Sequence, residues 1–255
     1  MQEYRNMLID KLNIQICSSR LECGYESANY TASVITNLLE VKESLRMIFA
    51  AAPSQNELLS ELIKIKKINW SKITAFHMDE YVGLNPDAPQ AFGKFLKDRL
   101  FDKVLFEKVH YIKTDGKDLE KLCEDYSKLL IEKPIDIVCM GIGENGHIAF
   151  NDPPFADFND PKLVKIVELD EVSRQQQVND KCFAKLNEVP RKAITLTIPA
   201  LLSATYAIIV VPGKTKAKAI RNSFLSPICE DFPASILRIH NNAKLFLDKD
   251  SSIYL

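Results

Sequence analysis

Short apolar runs alternate with amphipathic stretches along nearly the whole chain, and this alternation constrains the fold more than any other feature. The apolar runs predict strands over 45–52, 73–80, 109–113, 135–142, 163–169, 193–198, 206–211 and 243–248. The stretches between them predict helices over 25–42, 54–67, 90–103, 117–131, 173–186 and 215–224. The run YAIIVV at 206–211 is apolar at every position, as a strand covered on both faces must be. Strands alternating with helices imply an α/β protein with a mostly parallel sheet and helices on both sides. No repeat, linker or low-complexity tract breaks the pattern, so residues 1–255 read as one domain.

Charge excludes several partners. Lys and Arg number 33 and Asp and Glu 34, a net charge of -1, so no global field draws nucleic acid or an anionic membrane. Any anion site must be local. No stretch of eighteen apolar residues is present, and the opening MQEYRNMLIDKLN lacks the pattern of a signal peptide. The six cysteines contain no CxxC pair, which points to reduced thiols, no zinc site and a cytoplasmic setting.

Ligands of open α/β sheets bind at the carboxyl ends of strands, so polar residues just after the apolar runs are the candidates. After 45–52 comes APSQNE. Ser54 and Glu57 have capping-box spacing, and a helix N-terminus here suits a phosphate or is simply a cap. At the end of 73–80, Asp79 and Glu80 must point to opposite faces, whereas His77 and Asp79 can share one. Asp79 could serve as a general base; turn chemistry leading into Gly83 is the alternative.

Glycine is scarce, with 8 in 255 residues, yet Gly141, Gly143 and Gly146 fall within six. Their G-x-G-x-x-G spacing matches a dinucleotide fingerprint, but that motif needs a helix opening at the third glycine. Here HIAFNDPP follows, and Pro153-Pro154 blocks regular helix. A glycine loop presenting Asn145, His147, Asn151 and Asp152 to a small ligand is the better reading, with His147 suited to proton transfer. Farther on, Lys214, Lys216 and Lys218 cluster at a strand-to-helix junction, and Arg174 opens another helix. Together they would bind a phosphate monoester; read alone, the lysines make a solvated face.

FHMDEYVGL resembles the F-N-M-D-E-Y segment of glucosamine-6-phosphate deaminases, also called isomerases. GIGENGHIAFNDP resembles their G-x-G-x-D-G-H-I-A-F-N-E-P segment, in the same order and at similar separation. Weaker similarity extends from about Phe49 to Leu247. The related 6-phosphogluconolactonases share the second motif only in part. The resemblance implies a three-layer αβα fold with a Rossmann-like open sheet. It also implies cofactor-independent, metal-independent conversion of an amino-hexose 6-phosphate into a ketose 6-phosphate plus ammonia.

By the same resemblance Asp79 carries the proton and His147 assists ring opening, with Asn145 and Asp152 beside it. Ser54, Gln55, Gly146, Arg174 and Lys216 fall at the substrate. Asn145 stands where Asp is usual, which would leave His147 a neutral partner, and Asp152 is one methylene shorter than the usual Glu. His77 replaces Asn, and the phosphate loop lacks its glycine. PPFADFNDP lacks the paired serines of allosterically regulated members, so no activation by an acetylated sugar phosphate is expected. Three readings stay open beside glucosamine-6-phosphate deamination: a galactosamine 6-phosphate substrate, lactone hydrolysis, and a non-catalytic sugar-phosphate-binding regulator. The oligomeric state, monomer or homo-oligomer, is also open.

Overall fold

The structure, a computed structural model, describes residues 5–153 and 155–255. Pro154, half of the helix stop named above, lies outside the described residues, as do the first four residues of the opening segment. The strands are β1 (Arg5–Ile9), β2 (Leu12–Cys17), β3 (Leu45–Phe49), β4 (Ile73–His77), β5 (Asp79–Tyr81), β6 (Lys108–His110), β7 (Ile137–Met140), β8 (Val164–Glu168), β9 (Lys192–Leu196), β10 (Tyr206–Val211) and β11 (Ala243–Asp248). The helices are α1 (Arg20–Val41), α2 (Asn56–Leu62), α3 (Phe92–Leu96), α4 (Leu119–Ile131), α5 (Glu171–Asn179), α6 (Ile198–Leu202) and α7 (Ala217–Leu225).

Eight strands form the main sheet in the order β1-β2-β11-β10-β7-β3-β4-β6, all neighbours parallel except β1 and β2. Its strands are buried on both faces, so successive residues feed two different cores. On β10, Ala207, Ile209 and Val211 face one core with α4 and α7, while Ile208 and Val210 face the other with α1 and α2. From β3 the chain runs one way through β4 and β6, then returns to β7 beside β3 and runs the other way through β10 and β11. The reversal between β3 and β7 is the topological switch point, where such sheets bind ligands.

The structure departs from the sequence expectations in several places. The runs at 163–169 and 193–198 do not join the parallel sheet. They form β8 and β9, which make a separate antiparallel sheet with β5. The expected strand 73–80 is split at Met78. β4 belongs to the main sheet and β5 to the small one, because Met78 O accepts from Leu196 N of β9. The β1–β2 hairpin and α6 were not anticipated, although Leu12, Ile14 and Ile16 alternate with polar residues as a strand requires.

The expected capping box at Ser54 and Glu57 does not form. Residues Pro53–Gln55 make a 3-10 turn, no side chain caps α2, and Glu57 binds Arg20 instead. The same S-x-x-E spacing occurs at Ser19 and Glu22, and there the cap is made: Ser19 Oγ accepts from Glu22 N at 3.2 Å. This cap starts α1 five residues before the expected position.

Candidate active site

A cavity of about 250 Å³ opens at the carboxyl ends of the four adjacent strands β10, β7, β3 and β4. Each strand delivers one wall. β3 leads into Ala50–Ser54, β4 into Met78 and Asp79, β7 into Gly141–Gly143 with His147, and β10 into Pro212–Lys216. Gln176, Gln177 and Asp180 close a further side from α5 and the residue after it. The six cysteines are free thiols. Among the described residues no helix is long and apolar enough to cross a membrane, and no three His, Cys, Asp or Glu converge as metal ligands.

The break at Met78 decides what the HMDE segment does. His77 and Asp79 lie on different strands of different sheets, so the expectation that they share a face fails. His77 is fully buried, and its Nε2 accepts from Ile112 N at 2.7 Å, tying β4 to the segment after β6. Burial lowers its pKa to about 4, so it stays neutral and structural. Glu80 points away from the cavity and accepts from Tyr81 N, Phe92 N and Gly93 N at 2.7–3.0 Å, holding the start of α3. Of the three titratable residues His77, Asp79 and Glu80, Asp79 alone reaches the cavity, and only 7% of it is exposed. Burial, reinforced by the nearby charge of Glu80, pushes its pKa well above the ordinary carboxylate range. A carboxylate so placed is a strong base.

The glycine cluster has a separate reason at each position, and no helix opens at Gly146. Gly143 is glycine because the imidazole of His147 packs directly on it; a Cβ there would lie inside the ring's van der Waals surface. Gly146 turns the chain back with φ +90°, which only glycine adopts at little cost. It does not line the cavity, and its carbonyl accepts from Ala234 N at 2.9 Å. The expectation that Gly146 touches substrate is therefore corrected: it shapes the turn. Asn151 likewise faces inward, donating to the carbonyls of Ile148 and Leu196.

Around His147 the polar groups form one network. Nδ1 lies 2.7 Å from Asn145 Oδ1, 3.0 Å from Asp152 Oδ1 and 3.1 Å from Ser173 Oγ. Asn145 Oδ1 also accepts from the backbone N of His147, and Asn145 Nδ2 donates to Asp152 Oδ1 at 2.9 Å. With an amide oxygen and a carboxylate both facing it, Nδ1 carries the proton, a tautomer assigned from the network. Nε2 is left as the acceptor for the cavity. Burial pushes the Asp152 carboxyl up, but electrostatic attraction to the His147 ring and hydrogen bonds from His147, Asn145 and Ser173 outweigh it and hold the pKa low. The sequence suggested that Asn145 leaves His147 without charge stabilisation. The geometry corrects this, because Asp152 supplies the charge. Ser173, absent from the sequence-based candidates, completes the network.

At the other end Ser54, Lys214 and Lys216 line the cavity. Lys216 is 5% exposed, and desolvation lowers its pKa although Asp180 and Glu144 oppose the shift. Among the described residues no carboxylate lies within ion-pair distance of its ammonium. A buried cation left unpaired is costly unless an anion joins it. Gln55 and Arg174 do not reach the cavity. Gln55 Nε2 donates to Val210 O and Ser54 Oγ, tethering the turn to β10. Arg174 turns outward on α5 and donates to the carbonyls of Leu186 and Val189. Gln177, three residues on, faces inward in its place, and Arg20 from the start of α1 also lines the wall. Neither was anticipated, although Arg20 lies three residues beyond the end of β2.

This cavity, at the switch point with a base at one end and an unpaired lysine at the other, accompanies similarity to proteins of known kind. Residues 22–246 match the family described as glucosamine-6-phosphate isomerases/6-phosphogluconolactonase. The chain belongs to this family. It is 33% identical to a glucosamine-6-phosphate deaminase from Lactobacillus helveticus over 82% of this chain and 86% of that protein. It is 36% identical to one from Exiguobacterium sp. over 74% and 72%. Among solved structures, a monomeric glucosamine-6-phosphate deaminase of the NagB superfamily superposes with a TM-score of 0.86 at 28% identity, covering 95% of this chain and 99% of that one. A 6-phosphogluconolactonase from Thermotoga maritima, at 22% identity and a TM-score of 0.75, shares the fold. Family membership carries the α/β architecture expected from the sequence, including its mostly parallel central sheet.

Proposed function

We propose that this protein is an enzyme that deaminates an amino-hexose 6-phosphate, with glucosamine 6-phosphate as substrate, releasing fructose 6-phosphate and ammonia. The observation that carries this reading is Asp79, a buried carboxylate of raised basicity facing the same cavity as His147. Lactone hydrolysis needs a base for water but has no use for a second base that shuttles a proton between adjacent carbons.

The steps follow from the residues. The phosphate pairs with Lys216 beside Ser54 and fixes the sugar in the cavity, supplying binding energy remote from the reacting carbons. His147 Nε2 takes the proton of the anomeric hydroxyl and returns it to the ring oxygen, opening the ring. Asp152, 3.0 Å from Nδ1, stabilises the imidazolium between the two transfers. Asp79 removes the C2 proton from the open aldehyde while the aldehyde oxygen takes a proton from water, giving an enolamine, and the protonated Asp79 then delivers its proton to C1. The product is an iminium at C2. Water adds to it, and the carbinolamine expels ammonia to leave the ketose. All of these are proton transfers and additions for which the chain itself holds the acids and bases.

The intact network around His147 also favours an enzyme over a binding protein that has lost catalysis. Ammonia release from the two C4 epimers tests the substrate. Glucosamine 6-phosphate is expected to react with kcat/KM at least ~10-fold above galactosamine 6-phosphate, the worth of one hydrogen bond to a charged group. Preference for the galacto epimer would reverse the choice of substrate, and ammonia from neither would end the deaminase reading.

A further inference from the structure

Gly24 stands inside the long helix α1, where glycine costs about 1 kcal/mol relative to alanine. Gly24 lies in the second turn of α1, and the structure gives it a purpose. A Cβ built on Gly24 would overlap Glu57 Cβ and lie 2.8 Å from the Glu57 carbonyl carbon. Any side chain at 24 would therefore hold α1 away from α2. Arg20 is one turn earlier on the same face of α1, so the close crossing sets it directly over the turn that precedes α2.

There its Nε donates to Glu57 Oε1 at 2.8 Å and its Nη2 to the carbonyl of Pro53. These two bonds fix the guanidinium plane and leave Nη1 uncommitted. Arg20 is the one arginine among the described residues on the cavity wall, alongside Ser54, Lys214 and Lys216. Arg174, the arginine that the sequence motifs assign to the phosphate, is absent from the cavity wall and donates its Nε and Nη2 to the carbonyls of Leu186 and Val189. A phosphate dianion in this cavity would find one buried lysine, a second lysine and a preoriented guanidinium, the group best matched to its oxygens.

We propose that Arg20, seated over the 53–57 turn by the contact of Gly24 with Glu57, is the arginine that binds the substrate phosphate. The assignment rests on the phosphosugar reading of the cavity. It explains how a phosphate turn without glycine functions, since charge arrives from the neighbouring helix rather than from a glycine-rich backbone alone.

Calorimetric binding of inorganic phosphate to the full chain tests it without requiring turnover. Arg20→Gln is expected to weaken binding at least ~10-fold, as loss of a charged hydrogen bond does. Arg174→Gln should stay within about twofold of wild type, and Gly24→Ala should weaken binding in the same sense as Arg20→Gln. Arg20→Lys, which keeps the charge and loses the fork, should fall between wild type and Arg20→Gln, and it serves if the glutamine variant fails to fold. In turnover, Arg20→Gln should raise KM by a similar factor with kcat within about threefold, a split that general loosening of the fold would not give. Phosphate binding by Arg20→Gln or Arg20→Lys equal to wild type, a tenfold loss in Arg174→Gln, or no phosphate binding by the wild-type chain would overturn the assignment. Phosphate binding that depends on Arg20 without ammonia release would end the deaminase reading and leave this assignment standing.

Discussion

Asp79→Asn is expected to lower turnover at least ~100-fold, the usual worth of a positioned general base, and at the same time to raise the melting temperature. Both effects have one cause. The Asp79 carboxyl is buried and its folded pKa lies well above its ordinary value. Such an acid binds its proton more tightly when folded. Its full stability is therefore present below the unfolded value, and stability falls as pH rises towards the folded value. At neutral pH the charged side chain opposes folding. An isosteric amide removes that opposition and should stabilise the fold by roughly 0.5–2 kcal/mol, the usual gain from relieving a strained functional site. In the wild type the base must be unprotonated, so kcat/KM should fall on the acid side through a pKa above the usual carboxylate range. Thermal melts and a pH profile of the two proteins read all three effects. Full activity in Asp79→Asn would remove Asp79 from the mechanism, and a lowered melting temperature would contradict the burial argument.

His147→Gln should also reduce turnover at least ~100-fold, because glutamine can hydrogen-bond in the cavity but cannot accept and return a proton. Gly143→Ala provides a control that leaves every titratable group in place. Its methyl would occupy the space of the imidazole, so the ring must move and a loss of similar size is expected. Asp152→Asn should cost less, roughly tenfold to a hundredfold, since the amide still orients the ring and only the charge is lost. Steady-state kinetics of the three variants would order them. Near-wild-type activity in His147→Gln would leave ring opening to another group.

The strand-helix alternation made the α/β class legible because strands buried on both faces leave continuous apolar runs in the sequence. It did not separate the main sheet from the small one, since β8 and β9 are equally apolar and the partner of a strand is a long-range property. The convergence of His147, Asn145 and Asp152, and the arrival of Asp79 at the same cavity, were legible because these residues sit in two compact motifs. The split at Met78, which sends His77 and Asp79 to different sheets, left no local trace. The phosphate end was the least legible. Arg174 and Gln177 are three residues apart on α5, and only packing determines which faces inward. Arg20 reaches the cavity from the start of α1, more than thirty residues from the turn it clamps, and its position depends on the helix crossing at Gly24.

In the proposed reaction Asp79 carries a proton between C2 and C1 of an amino-hexose 6-phosphate, with ammonia as the second product. Turnover of glucosamine 6-phosphate in deuterium oxide, followed by nuclear magnetic resonance of the ketose and assay of ammonia, tests it most directly. Ammonia and fructose 6-phosphate are expected in equal amounts, with the hydrogen from C2 arriving at C1 and any solvent deuterium that exchanges onto Asp79 confined to that same one of the two C1 hydrogen positions. Absence of ammonia from this substrate, with acid release from a sugar-lactone 6-phosphate instead, would contradict it.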